Sequence, residues 1–136
     1  MKIELPNISE QQRVVFEEST KEAIRTLKSN LNAPVFPPQN EVDESQYPRT
    51  HLLRESEGWE KPDPNIIGAY FRHFQAHFPL YNTDAKLAVL LGLSSDRRVR
   101  EYKKGSRSIP YGIWRKFLII TGRAPQDVVT VLGFMG

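Results

Sequence analysis

From Pro64 onward the chain is divided by Pro79, Gly92, Gly105, Pro110 and Gly122, and between these breakers its apolar residues recur every three or four positions. Proline and glycine at such short intervals leave room only for short helices, and the periodicity is helical rather than strand-like. Asp63 and Pro64 suit a helix start. Ile66, Ile67, Tyr70, Phe71, Phe74 and Phe78 then give it a broad aromatic face, ended by Pro79. Thr83 is placed to cap the next helix, with Leu87, Ala88, Leu90 and Leu91 on its buried face and Gly92 as a left-handed exit. Ser94 or Ser95 caps a cationic helix that Gly105 stops. Ser108 and Pro110 open a helix running to Gly122, and Pro125 begins a last short one. The expected fold class is all-α, a compact domain of five short helices over residues 64–136.

Upstream the character changes. Pro34, Pro37, Pro38, Pro48, Pro62 and Pro64 interrupt a segment rich in Gln, Asn, Ser and Glu, through which neither a helix nor a central strand can run. Residues 33–63 read as a proline-rich linker, with Tyr47, Leu52, Leu53 and Trp59 able to pin it across a globular domain. Before it, Ser9 and Gln12 fit a capping box. Phe16, Thr20, Ala23, Ile24, Leu27 and Leu31 line one face of an amphipathic helix within residues 1–32, opposite Glu17, Glu18, Lys21, Glu22, Arg25 and Lys28. An isolated helix of this kind is marginal in water, so its stripe packs either on the basic domain or on a second copy of the chain.

The charge divides the same way. Up to Asp63 there are 8 Lys/Arg against 12 Asp/Glu, and beyond it 11 against 4. A basic module joined to an acidic, protein-contacting segment has this pattern, as does an ordinary protein of uneven surface charge. In 136 residues there is no cysteine, which excludes disulfides and thiolate metal sites. No apolar run approaches the ~18 residues of a membrane span, and nothing resembles a secretory leader. The expected setting is cytoplasmic, on the nucleoid, without membrane contact. His73 and His77 lie four apart but have no evident third ligand, so no metal is expected. No phosphate loop, nucleophile elbow or carboxylate pair suggests an enzyme, and no cofactor is expected.

In the cationic helix only Val99 and Tyr102 are plainly apolar, with Leu93 just before them. Asp96, Arg97, Arg98, Arg100, Glu101, Lys103 and Lys104 must then face solvent or a ligand. A helix of about ten residues is ~15 Å long and can enter a DNA major groove. Arg97 and Arg100, at i and i+3, can each fork onto guanine O6 and N7, a contact worth ~1–3 kcal/mol of discrimination. Ser95 and Asp96 are the other base-edge candidates, Asp96 suiting the cytosine amino group. Arg98, Lys103, Lys104, Arg107 and Ser108 suit phosphate. Trp114 and Phe117 fall inward with Ile113 and Leu118, while Arg115 and Lys116 on the opposite side extend the basic surface.

Thr83-Asp84-Ala85-Lys86-Leu87-Ala88, Leu91-Gly92, Val99, Tyr102, Gly105 and Pro110 resemble the Cro/repressor-type helix-turn-helix family of phage and bacterial regulators. The run from Ser108 to Gly122 resembles its subgroup with a tryptophan-bearing closing helix. The resemblance covers about Pro64 to Leu132. It implies that the helix from Thr83 crosses the DNA backbone and that the helix from Ser95 reads the major groove of double-stranded DNA. Ser95, Asp96, Arg97 and Arg100 then stand at base-reading positions, and Thr83, Lys86, Arg98, Lys103, Lys104, Arg107 and Ser108 at phosphates. Asp84 stands where the family often has a phosphate-clamping glutamine, with Lys86 nearby as a substitute. The interval from Gly92 to Val99 is one residue longer than the common spacing.

The expected function is a sequence-specific transcriptional regulator, a repressor binding an inverted repeat as a homodimer. Two other readings fit the same residues: an accessory DNA-binding protein of a mobile element, and a protein-interaction module whose partner binds residues 1–63.

Overall fold

Five α-helices and several 3₁₀ turns, with no strand, make up the described part of the protein, a computed structural model that describes residues 7–136. They fall into two compact units, one formed by the described part of 1–36 with Val129–Gly136 and the other by Pro37–Val128.

The first unit is built on α1 (Ile8–Asn30). Its cap is Asn7, not Ser9: the Asn7 side chain accepts from the Glu10 amide at 2.8 Å, and the Glu10 carboxylate accepts from the Asn7 amide. A carboxylate is a stronger acceptor than the Gln12 amide and is favoured at the positive end of the helix dipole, so the start moves two residues upstream. No residue of α1 is buried. Its charges pair along the exposed side, Lys21 with Glu17 and Glu18, and Arg25 with Glu22. Phe134 meets Phe16 edge-on at 4.9 Å, and the Arg13 guanidinium lies over the Phe134 ring, so the chain's end contributes apolar surface to this helix.

The second unit contains α2 (Pro64–His77), α3 (Asp84–Leu91), α4 (Asp96–Lys104) and α5 (Tyr111–Ile120). Asp63 caps α2 through the Asn65 amide, with Pro64 in its first turn. Trp114 of α5 is fully buried, stacked on Tyr70 and Phe117 and tilted against Phe71. Leu87 and Leu91 of α3 and Val99 of α4 complete the core, so every helix of the unit contributes to it. Gly105 ends α4 at φ 78°, and a Cβ there would lie 2.7 Å from the Pro64 ring. Glycine is therefore needed both for the left-handed exit and for the close approach of α4 to the start of α2.

Three further expectations change. Residues 37–63, read as part of a linker, belong to the same compact unit as the helices. The segment has no α-helix or strand, only three short 3₁₀ turns, and side chains supply further hydrogen bonds. Buried Gln39 donates to the Val42 carbonyl and to Glu44 and accepts from the Glu41 and Val42 amides. Glu44 accepts from the Tyr70 hydroxyl, and Arg72 forks onto Glu41 at 2.7 Å. Buried His51 accepts at Nδ1 from the Trp114 indole at 3.3 Å, while Trp59 donates to the His51 carbonyl. The segment is a strap held by these polar anchors and, as expected, by Tyr47, Leu52 and Trp59 packed against the core.

The helix expected from Pro125 does not form, since residues 125–136 have no helix or strand. Val128, Val129, Thr130 and Val131 are a β-branched run of poor helix propensity. Arg115 does not extend the basic surface as expected. It is buried, its Nε 3.0 Å from Asp127 and its Nη2 donating to the Pro125 carbonyl. Among the described residues no helix is long and apolar enough to cross a membrane.

Candidate functional site

Thr83 caps α3 by accepting the Lys86 amide at 3.2 Å, and α3 ends at Gly92, whose φ of 73° reverses the chain. The Leu93 amide returns to the Ala88 carbonyl at 2.8 Å, tying the turn to the helix it leaves. Ser95 is the N-cap of α4. It is extended and exposed, and its hydroxyl makes no capping bond. Buried Val99 and Tyr102 anchor α4 by one narrow side, and Arg97, Arg100 and Lys104 of this nine-residue helix are exposed.

On that open side the charges form an ordered set of pairs. Arg97, four-fifths exposed, reaches Glu101 through Nε at 3.0 Å, and Arg107 reaches the other Glu101 oxygen through Nε at 2.8 Å. Arg100 bonds Asp96 at 2.8 Å. The Arg107 hydrogen bond holds the Glu101 carboxyl below its usual range, and the Arg100 hydrogen bond does the same for Asp96, so both remain anionic at neutral pH. Exposed pairs of this kind are weak, and a strong external acceptor such as phosphate or a guanine edge can replace them.

The other expected contacts divide. Lys104 is exposed at the end of the helix. Lys103, expected at a phosphate, is instead held by Asp84 of α3 at 3.0 Å to both oxygens, with only a fifth of each side chain exposed. Asp84 also accepts from Gln75. Lys86 donates to Asn82 at 3.3 Å. Ser108 accepts from Lys61 at 3.1 Å, which adds a cation from the strap to the Arg107 edge. Arg98 is half-buried, and its Nη1 is buried with no partner. The His73 and His77 rings meet edge-on at 4.5 Å, and a His77 ring nitrogen meets the His73 carbonyl at 2.9 Å.

Ser95, Asp96, Arg97 and Arg100 thus share the first half of α4, joined by Arg107 through Glu101. Glu101 was not among the expected site residues, although its i,i+4 spacing from Arg97 is a readable signal. The Asp84–Lys103 pair spans 19 positions and has no local signal. No protein-family model matches the chain, and no match was found among the curated proteins or the solved structures.

Proposed function

We propose that the protein is a sequence-specific binder of double-stranded DNA, a transcriptional regulator of the helix-turn-helix type in which α3 crosses the backbone and α4 enters the major groove. The observation that carries this reading is the open side of α4. A nine-residue helix, about 14 Å long, has Val99 and Tyr102 as its apolar anchors and turns Arg97 and Arg100 outward in weak, exchangeable pairs. Arg97, Arg100, Ser95 and Asp96 are the base-reading groups. Lys104, Arg107 and Arg98 are the phosphate contacts, and Lys103 serves mainly to hold α4 against α3 through Asp84.

Homodimerisation through α1 fits the reading, because Phe16, Ile24 and Leu27 of the helix and Leu31 just beyond it remain partly or largely exposed. Two copies of α4 in successive major grooves would then lie about 34 Å apart on an inverted repeat. The same uncovered face supports a second reading, in which residues 1–63 hold a partner protein. A gel shift against the promoter region of the protein's own operon tests the first. Preference over random duplex at ~150 mM salt supports it, and equal retention of both ends it.

A further inference from the structure

We infer that Glu101 is a positioning residue for the proposed DNA contact, presetting Arg97 and Arg107 as a pair of outward forks. The inference rests on the DNA-binding reading and adds to it a residue whose charge is the wrong sign for DNA.

The geometry runs through one carboxylate. Its two oxygens each take one arginine, Oε1 the Arg97 of the same helix and Oε2 the Arg107 of the loop beyond Gly105. Both arginines approach through Nε, the inner edge of the guanidinium, Arg107 as a hydrogen bond and Arg97 as an ion pair. That edge fixes the plane of the group and leaves the two terminal nitrogens to make the forked contact suited to guanine or phosphate. Arg97 is four-fifths exposed and would otherwise sample many rotamers, whereas Glu101 itself is less than a fifth exposed. Fixing an arginine before binding removes part of the ordering cost of association. Arg100 is different, since its bond to Asp96 uses a terminal nitrogen, so that pair must open before Arg100 can fork.

Simple electrostatics gives the opposite expectation. A carboxylate on the DNA face repels phosphate, so its removal should strengthen binding to every duplex alike. The two accounts separate in the ratio of specific to random affinity.

The experiment uses the full chain and duplexes enriched from a random-sequence library, compared with the unselected pool. Glu101→Ala is expected to lower the ratio about tenfold, with affinity for the pool unchanged or raised. Glu101→Gln, which keeps one acceptor oxygen, should restore part of the ratio. In DNA-free protein the Arg107 Nε–H resonance should be protected from exchange in the wild type and lose protection in Glu101→Ala. Equal thermal midpoints show that the fold is intact. If the wild type selects a sequence and Glu101→Ala strengthens all duplexes equally, the positioning role is wrong while the DNA reading stands. If the Arg107 Nε–H signal is unprotected in the wild type, the clamp is absent. If the wild type has no preference over the pool, both readings fall.

Discussion

Asp84 and Lys103 join α3 to α4 through a bidentate ion pair, the ammonium 3.0 Å from each carboxylate oxygen, with a fifth of each side chain exposed. The pair sets how α4 leans on α3, because it lies on the side of α4 next to its apolar anchors. Asp84→Ala would leave a largely buried ammonium without its partner, at a cost of about 2 kcal/mol, below the 3–5 kcal/mol of a fully buried pair. Urea unfolding should show that loss. A change within a few tenths would mean that solvent replaces the carboxylate freely.

Acid should loosen the strap. Burial pushes the His51 imidazole down to about 4 from an ordinary 6.5. The unfolded chain therefore binds the extra proton at a higher pH than the folded one. Stability from this group is fully present above about pH 6.5 and falls as pH drops toward 4, by on the order of 3 kcal/mol. Glu44 adds to the loss below its ordinary 4.5. Burial opposes its ionisation, but hydrogen bonds from Tyr70 and Gln39 outweigh that and hold its carboxyl low. His51→Gln should unfold with a flatter dependence between pH 6.5 and 4. An unchanged limb would put the titrating group elsewhere.

For the proposed DNA face, Arg97→Ala and Arg100→Ala should relax sequence preference by ~1–3 kcal/mol at one position each. Lys104→Ala should weaken binding evenly across sequences and flatten the salt slope by about one. Library selection on the three variants checks this, and identical behaviour would erase the division between reading and holding.

Arg115→Ala should destabilise the fold by about 2–3 kcal/mol, since it removes a buried guanidinium from Asp127 and from the Pro125 carbonyl. Its DNA affinity, measured below the unfolding midpoint, should match the wild type. Lys116→Ala, on the exposed side of α5, should leave stability within about 0.5 kcal/mol.

Leu27→Glu on the exposed side of α1 should turn the proposed dimer into a monomer in light scattering while the helical content of the 37–128 unit stays intact. A wild type that is monomeric at every accessible concentration overturns the α1 dimer and leaves this face to a partner protein.

Much of the helical order could be read locally. Thr83 and Asp63 at the caps, Gly92 and Gly105 at left-handed exits, and Trp114 and Phe117 at inward positions follow from periodicity and backbone preference, which act over a few residues. What failed did so where distant atoms decide. The prolines of 33–63 suggested a linker because they rule out regular hydrogen bonding, yet Gln39, Glu44 and His51 find partners on themselves and on α2 and α5. Arg115 lay on the polar side of its helix by counting, but Asp127 and the strap carbonyl of Leu52 cover that side.

The candidate site divides along the same line. By itself the sequence determined that a short cationic helix follows a glycine turn and exposes Arg97 and Arg100, because Val99 and Tyr102 are its only apolar anchors. Only the tertiary structure decided that Lys103 belongs to Asp84, 19 positions away, and that one Glu101 carboxylate gathers Arg97 and Arg107. The reason is physical. Caps and periodicity are local in the chain, whereas ion pairs form between whatever charges the packed core brings within about 4 Å.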